Sequence, residues 1–109
     1  MSSLSTHVLD TMLGKPAAGV ALVLLAGDTV LHESVTDADG RCRTLPALDP
    51  GTYRLTFAVG AYFGALGLDL PQPPFLDVVP IDFGIADATA HYHVPLLVSP
   101  YGYSTYRGS

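Results

Sequence analysis

Charge is scarce in this sequence. Five residues are Lys or Arg, ten are Asp or Glu, and charged residues make up 14% of the chain. Phosphate binding needs clustered positive charge, so nucleic acid is excluded as a partner. Tryptophan is absent and there is one cysteine, Cys42. It can form no internal disulfide and fits a reducing compartment. Long hydrophobic runs are missing too. GVALVLLAG, from Gly19 to Gly27, is the longest uncharged apolar stretch, about half of what a helix needs to cross a bilayer, so no membrane span is expected. The opening MSSLSTHVLD has neither the basic nor the apolar region of a secretory signal, and the closing RGS is not a peroxisomal address. Cytoplasm is the default location. No phosphate loop, GxSxG elbow or dinucleotide fingerprint is present.

Apolar residues are abundant instead, at 49% of 109 residues, with a mean hydropathy of +0.36. A chain of this length makes one domain, 1–109, and one core. The apolar surplus over charge then points to a subunit interface.

Short runs rich in Val, Leu, Ile, Thr and aromatics succeed one another: THVLD, GVALVLLAG, TVLHESVT, TYRLTFAV, VVPIDFGI and HYHVPLLVS. They are separated by turn-forming stretches such as GKPAAG, DADG and ALDPG, a pattern that predicts an all-β sandwich. In Asp37–Gly40 the aspartates can bond their own backbone and the glycine can take positive φ, so the turn feeds Arg41 into the next strand. AYFGAL, Ala61 to Leu66, is the one helical candidate, a turn or two near 60–66. LGLDLPQPPF reads as an extended loop.

Strand alternation places the polar side chains. In HYHVPLLVS, His91, His93, Pro95 and Leu97 face one way, and Tyr92, Val94, Leu96 and Val98 face the core. In STHVLD, His7 shares a face with Ser5 and Leu9. Histidines at i and i+2 can share a zinc ion, with His7 as third ligand. No carboxylate or thiolate lies near them in sequence to complete or orient such a set, so no metal or other cofactor is expected. His32 reads as an exposed strand residue, and Cys42 as a small apolar residue on a strand.

LSTHVLDTMLGKPAAGV, TDADGR and HYHVPLLVSPYGYSTYRGS together resemble the transthyretin-related family of 5-hydroxyisourate hydrolases. The likeness spans nearly the whole chain in order, and the ending Tyr-Arg-Gly-Ser is its most specific part. The resemblance implies a sandwich of about eight strands in two sheets with one short helix, assembled as a homotetramer with active sites at a subunit interface. It implies catalytic roles for His7, Arg41, His93 and Ser109, and substrate contacts from Tyr106, Arg107 and Gly108. The implied small-molecule substrate is 5-hydroxyisourate, a step in urate breakdown.

Ring opening by water needs a base for the water and a donor for the developing oxyanion. Histidine suits the first task near neutral pH, and arginine's rigid fork of donors suits the second. His7 and His93 are the expected acid/base pair, with their division of labour open. Arg107 can bind substrate or anchor the tail, Tyr106 can act through its hydroxyl or shape the pocket, and Ser109 can act through hydroxyl or carboxylate. His91 reads as a support or packing residue. A transthyretin-like carrier without catalysis and an accessory sandwich domain are the competing readings. Fold alone separates none of the three.

Overall fold

The computed structural model describes residues 1–108, so the expectation for Ser109 lies outside the described residues. The chain forms Ser3–Ser5 (β1), Val8–Asp10 (β2), Lys15–Pro16 (β3), Ala21–Ala26 (β4), Thr29–Val35 (β5), Gly51–Ala58 (β6), Val59–Ala65 (α1), Val78–Ile85 (β7), His91–His93 (β8), Leu96–Ser99 (β9) and Gly102–Thr105 (β10). One sheet has the order β5-β4-β6-β7; the other strands are β10-β9-β2-β3 and the pair β1-β8.

β1 and β2 are two halves of one strand, and so are β8 and β9. Ser3↔His91 through Ser5↔His93 and Val8↔Leu96 through Asp10↔Val98 keep the same parallel register. The ladder also bridges the gap: the amides of Val94 and Leu96 donate to the carbonyls of Ser5 and His7, each at 2.9 Å. Merged in this way, the segments give the eight-stranded, two-sheet sandwich expected. A parallel pairing so near the two ends of the chain is what the sequence pattern did not reveal.

Alternation builds the core between the sheets. Leu22 and Leu24 of β4, Leu55 and Phe57 of β6 and Val79 of β7 are buried against Val8, Leu96 and Val98. Each such side chain contributes about 1.5–3 kcal/mol of transfer free energy. Helix α1 starts and ends one residue before the expected 60–66, because Val59 already belongs to the core, and Gly67 turns the chain away at a φ of 77°. α1 is latched to β2 by a buried polar contact: Asp10 accepts the Tyr62 hydroxyl at 2.8 Å and the amides of Met12 and Leu13 at 3.0 and 2.9 Å. Burial and then the bond to Asp10 push the Tyr62 phenol up to about 12.

Two expectations need correction. The Asp37–Gly40 turn leads Arg41 into an isolated bridge rather than a strand. Cys42 is buried, but it lies in the loop after Arg41 and not on a strand. Pro95, on the histidine face by alternation, is buried as well. The parallel ladder uses the amides of Val94 and Leu96, so a residue without an N–H fits between them. Among the described residues, no helix is long and apolar enough to cross a membrane.

Candidate active site

Two isolated β-bridges bring the site together. In the Asp37–Gly40 turn, Asp37 Oδ1 accepts the amides of Asp39 and Arg41 at 2.9 and 3.0 Å. The bond from the Arg41 amide is the largest cause holding the Asp37 carboxyl below its ordinary range. Gly40 has a φ of 74°, and a Cβ there would run into the Val8 carbonyl. Only glycine combines that conformation with that approach. The Val8 amide donates to the Gly40 carbonyl at 2.7 Å, which docks the turn on β2. Arg41 consequently pairs with His7 in an antiparallel bridge.

The second bridge belongs to the C-terminal segment. β10 pairs with β9 from Gly102↔Ser99 to Thr105↔Leu96, and the same register returns at His93↔Gly108. The Gly108 amide donates to the His93 carbonyl at 2.8 Å. Between these points Pro95 has no N–H to offer, and its carbonyl takes the Thr105 hydroxyl at 2.7 Å. Tyr106 and Arg107 leave the ladder there.

The face that carries Ser3, Ser5 and His7 on one strand carries His91 and His93 on the next. Ser5 Oγ lies 2.7 Å from His93 Nδ1 and 2.8 Å from His91 Nε2. Ser3 Oγ lies 2.5 Å from His91 Nδ1. Burial, together with the charges of Arg41, His7 and His91, lowers the His93 pKa below its ordinary value. His93 is therefore neutral at pH 7, with Nδ1 engaged by Ser5 and Nε2 without a hydrogen-bond partner among the described residues. An open cleft of about 260 Å³ beside this cluster is lined by Ser5, Arg41, Cys42 and Arg43, with Leu4 and Thr6.

His7, Arg41, His93 and Gly108 are thus brought together by the two bridges. Tyr106 and Arg107 do not join them within the protomer. The Arg107 guanidinium lies 4.4 Å over the ring of Tyr92, a core-facing residue on the opposite side of the strand from His93. With Tyr106 it lines a separate hollow of about 310 Å³ against Ile81 and Phe83. Alternation accounts for this, since Arg107 precedes the residue that pairs with His93. Ser3 and Ser5 were not singled out from sequence as functional, although alternation had placed Ser5 beside His7. Among the described residues, no group of three or more His, Cys, Asp or Glu is arranged to hold a metal ion.

An eight-stranded sandwich with three imidazoles and a guanidinium gathered at one sheet face defines a transthyretin-like protein equipped for acid–base chemistry. The chain belongs to the HIUase/Transthyretin family, whose model matches residues 4–108. It is 56% identical over 115 residues to the 5-hydroxyisourate hydrolase of Caulobacter vibrioides, covering 100% of both chains. The solved 5-hydroxyisourate hydrolase of Klebsiella pneumoniae superposes with a TM-score of 0.88 at 42% identity, over 100% of this chain and 94% of that one. A solved (S)-allantoin synthase matches with a TM-score of 0.91 at 44% identity, over 99% of this chain; this chain spans 44% of that one.

Proposed function

We propose that this protein is a 5-hydroxyisourate hydrolase, adding water across a ring amide of 5-hydroxyisourate to give 2-oxo-4-hydroxy-4-carboxy-5-ureidoimidazoline. The observation that carries the reading is the convergence of His7, Arg41, His93 and Gly108 through two bridges, His7↔Arg41 and His93↔Gly108. Full-length relatives of that name support it.

His93 serves as general base. It is neutral at pH 7, and its engaged Nδ1 leaves Nε2 to take a proton from the attacking water. Arg41, one residue beyond a rigid turn, meets the carbonyl oxygen on which negative charge develops. His7, bridged to Arg41, completes the pair and donates to the departing nitrogen. Gly108 lets the C-terminal segment close against His93. Tyr106 reaches substrate through the assembly rather than within one protomer, Arg107 anchors the segment on Tyr92, and Ser109 contributes its hydroxyl or carboxylate. No metal or other cofactor enters this scheme.

The proposal extends to one domain over 1–109 and to a cytoplasmic homotetramer with its sites at a subunit interface. Leu9 and Leu97 lie on the histidine face of the sheet, Tyr101, Tyr103 and Val78 are exposed, and β7 and β10 each pair along one edge among the described residues. Such surfaces are what association covers. Cys42 is a free thiol, in keeping with a reducing compartment.

The test generates 5-hydroxyisourate in place by oxidising urate with urate oxidase and monitors its ultraviolet absorbance. Decay should accelerate in proportion to protein and return to the spontaneous rate in a folded His93→Ala variant. A folded sample that leaves the decay unchanged would sink the reading. Light scattering on the eluting protein checks the tetramer.

A further inference from the structure

Four polar side chains on the outer face form an unbroken hydrogen-bonded chain. Its order is Ser3 Oγ to His91 Nδ1 at 2.5 Å, His91 Nε2 to Ser5 Oγ at 2.8 Å, and Ser5 Oγ to His93 Nδ1 at 2.7 Å. Both nitrogens of His91 are used, so its ring is a link rather than an end. The parallel register places these residues together, pairing Ser3 with His91 and Ser5 with His93.

Each hydroxyl holds one proton and each neutral imidazole one N–H. The chain therefore has two complete polarities. In one, Ser3 donates to His91 Nδ1, His91 Nε2–H donates to Ser5, and Ser5 donates to His93 Nδ1. His93 Nε2 then carries a proton and is an acid. In the other, His93 Nδ1–H donates to Ser5, Ser5 donates to His91 Nε2, and His91 Nδ1–H donates to Ser3. His93 Nε2 then presents a lone pair and is a base. Every group is satisfied in both.

We propose that Ser5 and His91 are positioning and proton-relay residues: Ser5 sets the tautomer of His93 and passes its proton to and from the exposed ring of His91 during hydrolysis. The inference rests on the hydrolase reading above. As water attacks, its oxygen bonds to the carbonyl carbon and one of its protons goes to His93 Nε2. The His93 Nδ1 proton passes to Ser5 as the hydroxyl proton of Ser5 passes to His91 Nε2. His91 then holds the positive charge, on a ring open to solvent. When the carbon–nitrogen bond breaks, the electron pair leaves with nitrogen, which takes a proton from the acid of the pair. The relay runs back, the proton on His93 Nε2 passes to His7 and replaces the one given to the leaving nitrogen, and His93 again presents a lone pair on Nε2. The new carboxylic acid releases its proton to solvent, so the cycle consumes one water.

The relay makes His91 more than packing and gives the serine of STHVLD a chemical task. A serine that only filled space would be replaceable by alanine without altering proton positions on His93.

The test pairs a spectroscopic readout with kinetics. In protein labelled with 15N at histidine, Ser5→Ala should move the His93 ring nitrogen shifts toward the mixed-tautomer average of free imidazole, and Ser5→Thr, which keeps the hydroxyl on a strand-favouring residue, should restore them. In turnover, Ser5→Ala should lower kcat about tenfold with KM within about twofold, as loss of a ligand-orienting partner does elsewhere. His91→Ala should lower kcat and be partly rescued by added imidazole, with Ser5→Thr near wild type. Unchanged His93 shifts in folded Ser5→Ala would overturn tautomer control. Altered shifts with unchanged kcat would overturn the proton-carrying role. If the wild-type protein itself has no hydrolase activity, the functional reading fails while the spectroscopy still reports the relay.

Discussion

The Gly108 amide donates to the His93 carbonyl at 2.8 Å, and a methyl group added at Gly108 would stand 2.5 Å from Cδ2 of the His93 ring. The C-terminal segment is thus fitted to the imidazole through the absence of a side chain.

Gly108→Ala should therefore displace the His93 ring rather than unfold the protein. Small misplacements of a catalytic group cost up to about a hundredfold in rate. The expected result is a kcat at least about tenfold lower with a melting temperature within about 2 °C of wild type, since Gly108 is tied to the sheet by one backbone hydrogen bond. Paired initial-rate assays and thermal melts check it, and a variant with wild-type kcat would show that the ring is not placed from this side.

The acid limb of the rate profile should lie below the ordinary histidine range. An unfolded histidine titrates at about 6.5, and burial with Arg41, His7 and His91 lowers His93 below that. The base works only when neutral, so kcat/KM should hold near pH 6.5 and fall at lower pH. Stability has the same sign: the unfolded chain binds this proton more readily, so His93's contribution is intact above about 6.5 and is lost as pH falls through the folded value. Arg41→Gln removes a positive neighbour, which should shift the limb to higher pH. A limb that stays put in that variant would assign it to another group.

Arg107 is predicted to anchor the segment, since its guanidinium packs on Tyr92. A partly exposed contact of this kind contributes about 0.5–1 kcal/mol. Arg107→Ala should cost no more than that in denaturant unfolding, yet lower kcat several-fold by loosening Gly108. Arg107→Lys, which keeps the charge without the planar stacking surface, should fall between. A rise in KM alone would instead give Arg107 a direct substrate contact across the assembly.

Tyr62→Phe separates stability from catalysis. It removes one donor from the buried carboxylate of Asp10, and hydrogen bonds to charged groups contribute about 1.5–3 kcal/mol. Unfolding free energy should drop by roughly that much, with kcat unchanged in the folded variant. Because the folded phenol is pushed up to about 12, wild-type stability should decline as pH rises above about 10, the unfolded value, and the variant should lack that component.

The sandwich was legible because period-two alternation is local. The burial of Tyr92, Val94, Leu96 and Val98 can be read from HYHVPLLVS alone. The turn at Asp37–Gly40 was equally plain, since its hydrogen bonds lie within five residues. What joins these pieces is not local: His7 and Arg41 meet only because Gly40 accommodates the Val8 carbonyl, and Ser5 meets His93 through a parallel register no spacing announces. Arg107 packs on Tyr92 because alternation turns it away from the face of His93, which follows only once Gly108 is known to pair with His93. The order of motifs in the family likeness supplied what alternation lacked.

The strand near the start of the chain and the strand near its end run side by side, with Ser5 beside His93. That topology has a kinetic side. A contact between residues so far apart in sequence carries a large loop-closure cost and forms late in folding. During synthesis, residues 3–7 must wait, edge exposed, until the ribosome has released the segment to Gly108. Refolding should accordingly recover β-sheet circular dichroism before it recovers turnover, and truncation from either end should abolish activity sooner than it abolishes the sheet of β4 to β7.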